Sequence, residues 1–179
     1  MSLLNPSQAL VLAESNRWVN ARLLQMAVHL APAQLETACW LSRGSTLRTL
    51  IHQADAQWFW RLACETGEAP GRSLSETDSA DVGTLRDFVA AEDDRWPTYV
   101  AGLPESRWLS MHTFSWGRAR SRSRELRVLG FHALKQGARH RAEIAERLGE
   151  PGHSPGGLDF LDFASRHPGA APTCQETQG

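Results

Sequence analysis

The sequence is short of cysteine, of lysine and of net charge, and each shortage excludes something. Its three cysteines (Cys39, Cys64 and Cys174) are an odd number without CxxC spacing. That points away from a disulfide framework and towards reduced thiols in a cytoplasmic protein. Lys and Arg number 19 against 20 Asp and Glu, a formal net charge of −1, so no bulk field draws the chain to nucleic acid or to an anionic membrane. Lys135 is the only lysine; a basic set that is nearly all arginine reflects genomic composition as readily as a need for bidentate anion contacts. No uncharged apolar run approaches the ~20 residues of a membrane span. The opening MSLLNPSQALVLAES lacks a basic start followed by a long apolar core, so no export signal is expected. GxSxG, P-loop, HExxH and Rossmann fingerprints are missing as well. Cys39 and Cys64 have no basic neighbours in sequence, which argues against a nucleophilic thiol.

What is present is helical period. Asn5 and Pro6, with Gln8 reaching back, form a capping signal for a helix carrying Leu10, Ala13, Trp18, Ala21, Leu24 and Val28 that ends before Pro32. A second helix is predicted from Ser45 to about Glu65, with Leu47, Leu50, Ile51, Ala54, Trp58 and Leu62 on its apolar face. Residues 67–83 are rich in Gly, Ser, Pro and Asp and read as a long loop. Thr84 with Asp87 resembles a capping box for a third helix, which Pro97 should kink or end early. Residues 103–123 read as irregular, with a faint hairpin signal over 108–116. Ser123 is the expected cap of a fourth helix, with Glu125 in its first turn and residues 131–148 as one uninterrupted stretch. The short apolar piece 158–164 should pack back on the body. The fold expected is therefore all-α, a four-helix bundle over residues 1–165, with 166–179 as a flexible C-terminal tail. The seventeen residues from Gly67 to Gly83 span at most ~56–61 Å extended, enough to run the length of a helix and so to permit a parallel second and third helix.

The chemistry-bearing residues gather on the second and fourth helices. The period places His140 on the buried stripe, and His132, Gln136 and His140 recur every four residues along one side. If the second and fourth helices are antiparallel, His52 and His140 lie at a similar height, ~10–12 Å from one end of the bundle. Gln136, one turn earlier, adds a third ligand-capable side chain. Three protein ligands with open positions would make a catalytic type of metal site. Asp55 and Glu143 are the candidate catalytic carboxylates, able to orient a ligand or to take a proton from bound water. The competing reading is that both histidines are hydrogen-bonded residues of the core.

SNRWVNARLL at 15–24, STLRTLIHQADAQWFW at 45–60, and HALKQGARHRAEIAERLGE at 132–150 followed by LDFLDF recur in order and spacing. Over residues 8–165 this pattern resembles the DinB/YfiT-like superfamily, which includes mycothiol- and bacillithiol-dependent transferases. The resemblance implies a bundle in up-down-down-up order with a long crossover between the second and third helices. It also implies a divalent metal, nickel or zinc, held by three histidines, with a low-molecular-weight thiol as possible cosubstrate, a small-molecule substrate and a homodimer. Two of the three ligands map to His52 and His140; the third falls on Gln136, a weaker neutral oxygen ligand. The activity implied is a metal-dependent thiol S-transferase or hydrolase. The alternative is a metal-depleted, non-catalytic binding or interaction module of the same fold.

Two further features carry open readings. Arg118, Arg120, Arg122 and Arg124 alternate and are followed by Arg127, either as an anion site or as a solvated lead into the fourth helix. Nucleic acid is not an expected partner, because no recognition motif accompanies them. Trp18, Trp58 and Trp96 fall on apolar stripes and read as core, whereas Trp60, Trp108 and Trp116 fit those stripes poorly and are candidates for a pocket or a subunit contact.

Overall fold

Local capping chemistry sets the helix starts. In the computed structural model, which describes residues 4–74, 81–116 and 120–169, Asn5 and Gln8 form the expected capping box at the head of α1 (Pro6–Ala27). Ser45 accepts from the Arg48 backbone N–H at the head of α3 (Thr46–Thr66), which closes on Gly67 in the left-handed conformation. Between them the short helix α2 (Pro32–Glu36) occupies the connection. The cap of α4 (Val82–Ala101) is Asp81, not Thr84: its carboxylate receives both the backbone N–H and the hydroxyl of Thr84. A carboxylate at the N-cap takes a backbone donor and meets the positive end of the helix dipole, which a threonine hydroxyl does less well. Pro97 does not end α4, which runs one more turn to Ala101. The described residues between α3 and α4 contain no helix or strand, as the composition of 67–83 predicts.

Residues 103–125 are more ordered than their sequence suggests. Helix α5 (Glu105–Trp108) leads into β1 (Met111–Trp116), paired antiparallel with β2 (Arg120–Glu125). Most of the arginine run thus forms a strand, not a solvated loop; Arg118 lies outside the described residues. Ser123 is consequently a strand residue, its hydroxyl 2.8 Å from that of Thr113, and the cap position before α6 (Leu126–Lys135) falls to Glu125. The hairpin is fastened to α3 by His112, whose Nε2 lies 2.8 Å from the Ala63 carbonyl while Arg107 donates to its Nδ1 at 2.7 Å.

The fourth bundle helix is not continuous. It breaks at Gln136–Gly137 into α6 and α7 (Ala138–Gly149). The Leu134 carbonyl, which a continuous helix would pair with the backbone N–H of residue 138, instead accepts from the Asn16 side chain at 2.7 Å. The Arg141 guanidinium folds under Gly137, where an added Cβ would stand 2.7 Å from its Nη1. A final short helix, α8 (Phe160–Arg166), packs back on the body as expected, Phe163 meeting Trp18 at 6.0 Å between ring centroids. No helix among the described residues is long and apolar enough to cross a membrane.

Helix α1 packs on α4 and on α6–α7, and α3 packs on the same two neighbours. The core divides into two apolar clusters. One holds Ala9, Ala13, Trp60, Trp96, Trp108 and Leu129; the other holds Leu23, Leu24, Leu50, Ile51, Val89 and Ile144. Helices α1 and α6–α7 pass from the first cluster to the second, and α3 and α4 pass the other way. Trp60 and Trp108 are buried in this core instead of lining a pocket or a subunit contact, while Trp18 and Trp58 are only partly covered. The sequence misleads here because the hairpin supplies a second layer: Phe114 packs on Trp60 at 6.0 Å, and Trp108 lies against Gly130 and donates its indole N–H to the Leu4 carbonyl.

Gly67 joins the end of α3 to the hairpin, its carbonyl accepting from the Ser115 backbone N–H. Its φ is +80°, and a Cβ there would stand 2.6 Å from the Thr113 carbonyl oxygen. Strain and collision with backbone act together, so Gly67→Ala should cost about 2–4 kcal/mol. In a thermal melt that corresponds to a Tm lower by roughly 4–16 °C for a chain of this size.

Candidate functional site

The two histidines do come together. His52, seven residues into α3, and His140, three residues into α7, place their rings 5.0 Å apart between centroids, in an edge-to-face arrangement. Neither is a closed core residue: both are partly exposed, because the break at Gly137 sets α7 apart from the period that would bury His140.

Their hydrogen bonds decide what each ring can do. Ser42 donates its hydroxyl to Glu143 Oε2 at 2.7 Å, and His140 Nδ1 lies 3.1 Å from the same hydroxyl oxygen. A serine has one proton to give, so His140 Nδ1 is the donor in that pair, and Nε2 of the neutral ring keeps its lone pair. The carboxylate of Glu143 lies 3.4 Å from His140 Nδ1 and accepts from Arg139 Nε at 2.8 Å. Partial burial works to raise its pKa, but the hydrogen bonds from Ser42, Arg139 and His140 and the charge of Arg139 outweigh that and hold it down at about 2. Glu143 is thus held as an anion well below the usual carboxylate range, and it orients His140 through Ser42.

His52 is held differently. Arg43 Nη2 lies 2.7 Å from His52 Nε2. A guanidinium only donates, so this nitrogen accepts and its lone pair is engaged. Burial first, then the charges of Arg43 and His140, lower the His52 pKa, against a smaller upward pull from Asp55. Asp55 itself lines the same open groove with Arg43, Arg48, Ile51, His52 and Leu74, and its Oδ1 accepts the Leu74 backbone N–H at 2.7 Å. That bond ties the first part of the crossover to α3.

Gln136 looks elsewhere. As the C-cap of α6 it lines a small hollow between the helices with Asn16, Gln53, Gln57, Asp93, Gly137 and Arg141. His132, expected near Gln136 or the pocket mouth, sets its ring edge-on to Trp60 at 4.4 Å. Sequence reading missed the residues that do most around the histidines, Ser42 and Arg43, because they lie in the irregular connection between α2 and α3, where no period singles them out. It missed Asn20, Asp93 and Arg141 too, although their polar character on otherwise apolar helix faces was the available signal.

A divalent ion needs converging lone pairs. His140 Nε2 is prepared as a ligand, with its other nitrogen oriented in the way metal-bound imidazoles usually are. His52 Nε2 faces a cation instead, and Gln136 belongs to another hollow. Among the described residues no group of three or more His, Cys, Asp or Glu is gathered as a metal site. The set formed by His52, Gln136 and His140, as disposed, does not fit a resident divalent metal.

The interior hollow carries its own electrostatics. Asp93 is buried; desolvation pushes its carboxyl up to about 6 against hydrogen bonds from Asn20 and Gln57 and the charges of Arg141 and Arg17. Because the folded state binds this proton more tightly than the unfolded chain, whose ordinary value is 3.8, the stability it confers at low pH is lost as pH rises from about 4 through about 6. The change amounts to at most ~3 kcal/mol. Glu143 acts in the opposite sense, its contribution being lost as pH falls from the usual carboxylate range towards 2. Chemical denaturation of Asp93→Asn at pH 4 and at pH 7 should therefore show a smaller stability difference between the two than the parent shows.

No curated protein sequence matches the chain. The profile of the DinB family matches residues 4–174, nearly the whole length, and with the helical bundle described above this shows that the chain belongs to the DinB family.

Proposed function

We propose that this DinB-family chain binds a small molecule beside His140 without a resident divalent metal, Arg43 supplying the positive charge at the histidine pair. The observation that carries this reading is the 2.7 Å contact of Arg43 Nη2 with His52 Nε2, which engages that nitrogen's lone pair. A guanidinium and a dication cannot share that lone pair, and each repels the other. Beside it, the Ser42–Glu143 pair fixes the tautomer of His140 so that Nε2 accepts a hydrogen bond or a proton from a bound molecule. Asp55 serves on this reading as an anchor for the crossover and not as a base, since one of its oxygens is committed to Leu74.

A second reading is supported by the 5.0 Å approach of the two rings and by the ligand-ready tautomer of His140. On it, Arg43 swings out and His52 and His140 hold nickel or zinc with Gln136, as in a metal-dependent thiol transferase or hydrolase. Metal analysis and thermal melts separate the two. On the first reading the parent protein, purified without chelator, carries no stoichiometric divalent ion, and added nickel or zinc leaves its Tm unchanged. Arg43→Ala, which frees His52 Nε2, should gain a metal-dependent rise of roughly 5–10 °C at saturating ion. One equivalent of metal in the parent protein would establish the second reading instead.

A further inference from the structure

The interior hollow lies where the two apolar clusters meet, and all four bundle helices contribute to it: Asn16 from α1, Gln53 and Gln57 from α3, Asp93 from α4, and Gln136, Gly137 and Arg141 from the broken fourth helix. Most of its polar groups are joined directly. Asn20 donates to both oxygens of Asp93 at 3.0 and 3.1 Å, Gln57 donates to Asp93 Oδ1 at 2.7 Å, and Gln53 donates to Asn20 Oδ1 at 2.7 Å. Arg141 gives one N–H to Asn16 Oδ1 at 2.7 Å.

Two features of this network are incomplete. Gln53, only 6% exposed, has a buried Oε1 with no hydrogen-bond partner. Arg141 and Asp93 are both buried and feel each other's charge, yet no direct ion pair joins them among the described residues. An orphaned buried carbonyl and two separated opposite charges are each costly, and a group that donates to the oxygens and accepts from the guanidinium removes both costs at once. The space open to the centre of a water-sized sphere is about 10 Å³. That is the room one water needs, and too little for a larger ligand.

We propose that this hollow is a binding site for a single water molecule, which donates to Gln53 Oε1 and to the Asp93 carboxylate and accepts from Arg141. The water closes the polar layer across α3, α4 and α7. The site is independent of whatever occupies the groove beside His140.

A high-resolution crystal structure of the full chain tests this. The expected result is one ordered water within about 2.7–3.2 Å of both Gln53 Oε1 and an Arg141 nitrogen. A dry hollow overturns the proposal, as does Arg141 bonded directly to Asp93 or the Gln53 oxygen paired to a protein donor. Gln53→Met keeps the length of the side chain without its polar atoms and should lose the water; retention of the water in that variant overturns the assignment of Gln53. Asp93→Asn keeps an acceptor oxygen and should retain it. Should Gln53→Met fail to fold, magnetisation transfer from a long-lived water to the Gly137 amide in the parent protein decides: its presence supports the site and its absence removes it.

Discussion

A layer of polar side chains across the middle of the bundle constrains nearly everything else. Asn20, Gln53, Gln57, Asp93 and Arg141 are bonded to one another or to Asn16 between two apolar clusters that the same helices traverse. Apolar packing tolerates sliding, since one leucine replaces another at modest cost. A buried carboxylate and a buried guanidinium do not tolerate it: displaced by a turn, each faces hydrocarbon and loses several kcal/mol. The layer therefore acts as a register mark for four helices whose apolar faces alone would allow alternatives. A second buried pair repeats the device further along. Arg61 on α3 grips Glu92 on α4 at 2.6 Å through Nε, while Arg95 closes on the same carboxylate. Only Glu92 and Asp93, adjacent in sequence, anchor α4 to α3 in this way among its buried residues, and Pro97 follows one turn later without interrupting the helix.

The same layer accounts for the break in the last helix and, through it, for the shape of the candidate site. Arg141 reaches Asn16 by passing beneath Gly137, and the Asn16 amide takes the Leu134 carbonyl, so the two side chains together replace a helical turn with a side-chain clamp. A residue with a Cβ at 137 would obstruct the guanidinium. With the turn opened, the four-residue spacing from Gln136 to His140 no longer means a shared face. Gln136 is left on the interior hollow and His140 beside Ser42, Glu143 and His52.

This explains what the sequence made legible and what it did not. The capping box at Asn5, the Ser45 cap and the crossover composition are local signals written within a few residues, and each appears where expected. The meeting of His52 and His140 was legible as well, because equal heights on facing helices follow from rise per residue alone. The period over 131–148, by contrast, describes a helix that Gly137 and a partner on α1 interrupt, and no local pattern announces a partner 118 residues away. The hairpin was faint for a similar reason: its arginines lack the apolar alternation of a strand, and its inner residues His112 and Phe114 gain their burial only from α3 and its neighbours. Arg43 and Ser42 were illegible altogether, since their roles depend on where an aperiodic connection lies in space.

The charges around the histidines form an ordered sequence, and that order limits the chemistry. Arg43 stands at one ring and the Glu143 anion beside the other, with Ser42 relaying the carboxylate to His140 Nδ1. A carboxylate near an imidazole ordinarily favours the protonated ring, and a guanidinium favours the neutral one. Here the carboxylate is shared among Ser42, Arg139 and His140, and its strongest bonds go to the first two, at 2.7 and 2.8 Å against 3.4 Å. At the other ring, burial and then the charge of Arg43 disfavour a proton on His52. His52 is thus disposed to remain neutral beside a fixed cation. On the reading proposed above, such a site would take a molecule that brings its own acidic hydrogen or negative charge in preference to a second cation between the rings.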